Sequence, residues 1–514
     1  MKGRLLKVTE ALQSRVDGLK ELIKRMKHYT EAAALMQWDL ETGAPTKSVE
    51  VRSEVIGTIA TESFKISVSD EMGKYIDELS QPENFDQLDD IMKASIKRLK
   101  KEYDRFKKIP SDKYQEYMVL LAQSQAMWKE AKSKKDFSIF LPNLKKIVEF
   151  QRLFVELWGY QGHPYNSLLD TFEPEMTVVK LDKIFSELRD KLVELHKRIV
   201  ATGYTPDQSI FEQSFNIEKQ KELSIRVLNS MGYDFEAGRM DESAHPFTLK
   251  LNPGDVRITT KYEETKLMSA LYSTIHEGGH ALYEQNISKD LTYTPLNEGA
   301  SMGIHESQSR FWENMLARSL DFWHFFQKEL MEVFPEEFKG ISIEKIYHSI
   351  NKVENSLIRI YADELTYGLH IILRYEVEKG LITGDIEVED LPRIWNEKIQ
   401  EYLGVTPKDD SEGVLQDVHW SAGLFGYFPS YALGNIYAAQ FVEKMESDLE
   451  NYQVMVRNGE FGQIKNWLIE NIHRHGRSLS PEELIKQITG EGINPKYFID
   501  YLEKKYSDIY GFSI

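Results

Sequence analysis

The chain has no cysteine among its 514 residues. Disulfides, thiolate metal sites and a cysteine nucleophile are thereby excluded, so any metal chemistry must rest on histidine and carboxylate. No uninterrupted apolar run approaches the ~18 residues of a membrane span. The opening Met1-Lys2-Gly3-Arg4-Leu5-Leu6-Lys7-Val8 is soon broken by charge and has no signal-peptide core. Internal repeats, low-complexity tracts and Gly/Ser linkers are missing too, so nothing marks a clean domain boundary. Basic excess is also lacking: 64 Lys and Arg stand against 82 Asp and Glu, a net charge of −18. A surface of that sign argues against nucleic acid and anionic membrane as partners. The expectation is a soluble, cytoplasmic protein.

What is present is mostly helical. Length alone suggests about three domains, but a single large helical body is equally allowed. Leu5, Val8, Leu12, Val16, Leu19, Ile23 and Met26 recur at three-to-four spacing, as in a long amphipathic helix. Helix-forming sequence continues with breaks at Gln81-Pro82-Glu83-Asn84 and at Ile109-Pro110, where Ser111 or Asp112 is expected to cap the next helix. Thr177 is expected to cap a helix over 178–201. Residues 245–262 differ. Phe247, Leu249 and Leu251 alternate with Thr248 and Lys250, Asn252-Pro253-Gly254 supplies a turn, and Val256 and Ile258 then alternate with Asp255, Arg257 and Thr259. Period-two patterning on both sides of a turn predicts a β-hairpin. An exposed edge there, with Arg257 nearby, could take an extended peptide by strand addition.

Just downstream, residues 270–283 read Ala-Leu-Tyr-Ser-Thr-Ile-His-Glu-Gly-Gly-His-Ala-Leu-Tyr. On a helix His276 and His280 share one face and can converge on an ion. Glu277 is turned about 100° away, within reach of an activated water without being a ligand. That combination is what metal-assisted hydrolysis needs. Gly278 and Gly279 are poor helix residues, which points to close approach by a substrate or a neighbouring strand. A third ligand is expected from Ser301 to Trp312. Glu306 and His305 compete for the role, since adjacent helical residues cannot both face one ion. Ile358 to Glu364 reads as helical, with Arg359 and Asp363 as i,i+4 ion-pair neighbours. Gly413 to Trp420, followed by Gly426 to Tyr431, gathers Asp417, His419, Tyr427 and Tyr431 in a loop suited to oxyanion donors and a substrate wall.

Taken together, Asp255-Val256-Arg257-Ile258-Thr259, His276 to His280, His305-Glu306-Ser307-Gln308, Ile358 to Asp363 and Gly413 to Trp420 resemble, in order, the motifs of the carboxypeptidase Taq family of metallocarboxypeptidases. The likeness runs from Met36-Gln37-Trp38-Asp39 to His473-Arg474-His475-Gly476. It implies a mainly α fold, a large single body over 1–514 whose two helical lobes could flank a deep groove, with a small hairpin or sheet beside the active-site helix. It implies homodimers that take single residues from the free C-terminus of peptides with broad tolerance. By motif position His276, His280 and Glu306 are the metal ligands and Glu277 the general base, with zinc as the first choice of metal and cobalt as the alternative. An exopeptidase must also grip a terminal carboxylate, for which Arg359 is the first candidate and Arg257 the second, with Tyr431 beside the substrate. His419 and Tyr427 are the candidates for stabilising the oxyanion. The competing readings are an endopeptidase or oligopeptidase of the same chemistry and a non-catalytic helical metal-binding protein.

Overall fold

The computed structural model describes residues 10–513, so Leu5 and Val8 of the first predicted helix lie outside the described residues. Helices dominate from Glu10–Thr42 to Lys496–Tyr510, and a single three-stranded sheet is the only one among the described residues. None of the described helices is long and apolar enough to cross a membrane. The chain folds into two compact units.

The first unit holds the residues up to Lys108 together with Ser214–Ala300 and Phe461–Leu479. Its N-terminal part buries Leu12, Leu19 and Ile23 of the long first helix against Met72, Ile76, Ile96 and Leu99 of the two helices Asp70–Ser80 and Asp90–Lys107. Removing these apolar side chains from water is what holds three otherwise highly charged helices together. Ser69 and Asp89 start the two shorter helices by accepting from the backbone N–H groups of Met72 and Met92.

The hairpin forms as its patterning predicts. Strand β2 (Thr248–Asn252) pairs antiparallel with β3 (Asp255–Thr260) across the Asn-Pro-Gly turn, with Leu249 opposite Arg257. A further strand, β1 (Met240–Glu242), joins β3 in parallel, giving the order β1-β3-β2. The strand carrying Asp255, Arg257 and Thr259 is therefore central, and the edge beside it belongs to β2. Val256 and Ile258 are fully buried, on the face of β3 turned away from Arg257. Helix Leu267–Gln285 follows and packs on β3, with the Thr260 hydroxyl donating to the carbonyl of Ala270 at 3.3 Å.

The second unit comprises Ile109–Gln213, Ser301–Glu460 and the residues from Ser480 onward. At its centre helix Glu364–Thr383 is buried on almost every side, so its polar residues must find partners inside the protein. Helix Met302–Arg310 packs along helix Pro429–Asp448 and runs on into a π-helical turn, Phe311–Leu316. Thr177 caps helix Val178–Ala201 through the N–H of Lys180, as its position predicts. Helix Ser111–Lys134 starts differently from the expectation: Pro110 occupies the cap position and no side chain caps it. The stretch before Glu364 also departs from the helical reading. Arg359–Tyr361 is one short 3₁₀ turn, and Asp363 caps the following helix by accepting from Leu365 and Thr366 N–H at 2.9 Å each.

Candidate metal centre and its surroundings

Helix Leu267–Gln285 presents His276 and His280 four residues apart, their rings edge to face with centroids 4.9 Å apart. His276, His280 and Glu306 each offer one ligand atom, and these atoms lie within 4.8 Å of one another. Two imidazole nitrogens and one carboxylate oxygen, with no thiolate available, fit a borderline divalent cation such as zinc or cobalt with a position left open. His305, the rival third ligand, is not in the cluster.

Glu306 is held from several directions. Arg310 Nε donates to its Oε1 at 2.7 Å, and the Ser309 hydroxyl lies 3.3 Å from its Oε2. Behind it, a Cβ placed on Gly434 would meet Glu306 Cγ at 2.5 Å, Cβ at 2.7 Å and the backbone carbonyl carbon at 3.1 Å. Only a residue without a side chain lets helix Pro429–Asp448 come so near. The helix that carries Glu306 is anchored at its start, where Ser301 caps Ile304 N–H and the buried Glu173 carboxylate accepts from Gly303 N–H at 3.1 Å and Tyr437 Oη at 2.8 Å. In its ionised form that carboxylate also complements the macrodipole, although burial raises Glu173 to about 7. Gly434→Ala should therefore weaken metal binding roughly 10–100-fold, as loss of outer support to a ligand does. Metal titration of the stripped protein checks this, and an unchanged affinity would mean that Glu306 is held by other means.

Gly278 has a plainer explanation than substrate or strand approach. A Cβ there would meet Leu228 Cδ2 at 2.8 Å and Met231 Cε at 3.0 Å, both from helix Ile217–Met231. The neighbour is a helix, and the touching atoms are the tips of flexible side chains.

Glu277 is 8% exposed and meets β2. Thr248 Oγ1 lies 2.5 Å from Glu277 Oε2 and 3.0 Å from the Glu277 carbonyl oxygen. Two residues along the strand, Lys250 Nζ donates to Glu284 Oε2 at 2.7 Å and to the Asn297 carbonyl oxygen at 2.8 Å. Thr248 and Lys250 of β2 are thus turned to the metal-site helix, on the sheet face they share with the buried Ile258 and Val256 of β3. The alternation in sequence revealed that face but not what it meets.

Arg359 is 8% exposed, and its partner is Asp417 rather than Asp363. Its Nε and Nη2 donate to Asp417 Oδ1 at 3.0 and 2.8 Å, and its Nη1 donates to Tyr367 Oη at 3.1 Å. The fully buried Arg374, which sequence reasoning missed, donates from Nε to Asp417 Oδ2 at 2.6 Å. A guanidinium inside the apolar run Leu369 to Tyr375 was the available signal for it. Burial alone would raise the Asp417 carboxyl, but Arg374 and Arg359 overcome it and hold the group far below the usual carboxylate range. Two cations share one anion, leaving a positive excess in a water-poor setting. Tyr367 ties this cluster to Glu306, because Arg310 lies over its ring at 4.7 Å while its hydroxyl accepts from Arg359.

His419, Tyr427 and Tyr431 gather beside Arg359. His419 Nε2 is 3.1 Å from Tyr431 Oη, its ring is stacked on Tyr427 at 5.7 Å, and the Arg359 guanidinium lies 5.1 Å from the Tyr431 ring. Burial, only partly opposed by Asp417, brings His419 down to about 4, and burial pushes Tyr427 up to about 12. At neutral pH both are uncharged, and Tyr427 keeps its proton.

Arg257 stands elsewhere. Asp255 takes it bidentately at 2.8 and 2.7 Å, and it lies 5.5 Å from the Trp38 ring. It lines a cavity of about 490 Å³ with Trp38, Asp39, Arg52, Arg239 and Asp241. Each arginine in that cavity has its own aspartate, so no positive excess remains.

Known proteins resemble this chain over nearly its whole length. A family model described as carboxypeptidase Taq (M32) metallopeptidase matches residues 18–506. The chain is 50% identical over 490 residues to Carboxypeptidase 1 of Bacillus subtilis, covering 95% of this chain and 97% of that protein. It is 39% identical over 503 residues to Thermostable carboxypeptidase 1 of Thermus thermophilus, covering 96% and 98%. Among solved structures, the M32 carboxypeptidase from Deinococcus radiodurans superposes with a TM-score of 0.94 at 34% identity, covering 97% of this chain and all (100%) of that one.

Proposed function

This chain belongs to the carboxypeptidase Taq (M32) family and is a metallocarboxypeptidase, and from that premise we propose that it releases single amino acids from the free C-terminus of peptides with broad side-chain tolerance. The observation that carries the reading is the convergence of His276, His280 and Glu306, with Glu277 next to His276 on the same helix. Those three residues would hold one divalent metal, zinc as first choice and cobalt as the alternative. When bound, the ion supplies Lewis acidity that polarises the scissile carbonyl and makes water a nucleophile at neutral pH.

The remaining work falls to side chains of the protein. Glu277 takes a proton from the attacking water as the new C–O bond forms, and gives it to the leaving amine as the C–N bond breaks. Tyr427, protonated, and His419, neutral, act as donors to the oxygen that becomes anionic when the carbonyl carbon turns tetrahedral. Arg359 grips the terminal carboxylate, supported by the positive excess it shares with Arg374, and Tyr431 lies alongside. Arg257, already neutralised by Asp255, is the weaker candidate. The proposal includes a homodimer, as the family resemblance implies, and a cytoplasmic location, which an acidic chain free of cysteine fits.

Paired free and amidated peptides test the carboxylate assignment. Arg359→Ala should lower kcat/KM on free-acid peptides by roughly 10²-fold, the scale of losing one partner of a buried charge pair. Products identified by mass spectrometry should show little change in the already slow cleavage of amidated peptides. Equal losses on both, or a larger selective loss in Arg257→Ala, would reassign the role.

A further inference from the structure

We propose that Thr248 is a positioning residue for Glu277, fixing the orientation of its carboxylate by holding Oε2. The inference rests on the general-base reading of Glu277. A glutamate has three side-chain torsions, and on a helix it sweeps a wide arc unless something fixes its end. Thr248 is a group that restrains that end. Its hydroxyl lies 2.5 Å from Glu277 Oε2, in the range of an O–H donating to an ionised carboxylate.

Thr248 is itself well placed to serve as a fixed point. Its branched side chain is stiff at χ1, and its strand is paired with β3, where it stands opposite Ile258. The same strand is fastened to the same helix a second time, by Lys250 on Glu284. Two attachments on one strand face stop β2 from pivoting about either, so the hydroxyl keeps its place against residue 277. A misplacement of about 1 Å at a reacting group can cost about 10²-fold in rate, which is the scale of effect this contact controls.

Two variants test it in the metal-loaded enzyme. Thr248→Val keeps the shape and removes the hydroxyl; Thr248→Ser keeps the hydroxyl. Thr248→Val should lower kcat about 10–100-fold with KM, bound metal and thermal midpoint unchanged, while Thr248→Ser recovers most of the rate. In a Glu277→Gln background, Thr248→Val should cost no further activity, because the group it aims is gone. A Thr248→Val enzyme with full kcat overturns the proposal. So does one that loses KM, metal or stability along with kcat, or one whose loss Thr248→Ser does not repair. Full activity in Glu277→Gln alone would instead remove the general-base reading, whatever Thr248 does.

Discussion

Glu277→Gln should lower peptide hydrolysis roughly 10²–10⁴-fold, the range in which a positioned general base contributes. Its metal content should match that of the parent. The change is close to isosteric, and an amide can still receive the Thr248 hydroxyl on its oxygen, so the helix and the neighbouring imidazoles keep their arrangement. Only the ability to take a proton is lost. Glu277 is absent from the group whose ligand atoms cluster within 4.8 Å, which is why metal and activity should separate. Steady-state kinetics together with elemental analysis of the same sample make the measurement. Unchanged turnover would hand the proton to another group, and loss of metal alongside activity would make Glu277 a ligand.

Asp417→Asn should be among the most destabilising conservative changes in the protein, by about 3–5 kcal/mol, as when one partner of a buried ion pair is removed. Asp417 accepts from Arg359 through one oxygen and from Arg374 through the other. Neither guanidinium can reach water easily: Arg359 is 8% exposed and Arg374 not at all. An asparagine would leave two buried cations without an anion and turn an NH₂ donor toward donors. Urea unfolding of parent and variant gives the difference. Stability within about 0.5 kcal/mol of the parent would mean that water or a rearranged carboxylate compensates both arginines.

Both effects concern residues whose visibility in the sequence differs sharply. His276, Glu277 and His280 were readable because helical periodicity alone puts the two imidazoles on one face. Glu306 needed the resemblance, since a separation of 26 residues from His280 says little about where a loop returns the chain. The hairpin was readable from alternation around Asn252-Pro253-Gly254, whereas β1 is three residues long and exists through pairing with β3. Arg359 reads as a helical partner of Asp363 because four-residue spacing looks the same on either side of a helix start. An aspartate followed by a long helical run is an N-cap signal, and reading it that way would have freed Arg359 to seek a partner elsewhere. That partner, Asp417, lies 58 positions away, where no local rule reaches. Gly434 is a similar case: a glycine in a helix announces close approach, but only the packed structure names Glu306 as what approaches.

The fit of Gly434 against Glu306 bears on kinetics as well as affinity. With Gly434 close behind its Cβ and Cγ, and Arg310 on one oxygen, the carboxylate is restrained toward one orientation. A ligand preorganised in this way leaves an arriving ion little to order, so little affinity is lost to freezing side chains. It also hinders the usual exit, in which a carboxylate swings off and lets the ion go. Exchange of one metal for another should then be slow, and the metal found in the purified enzyme should reflect what was present as the chain folded.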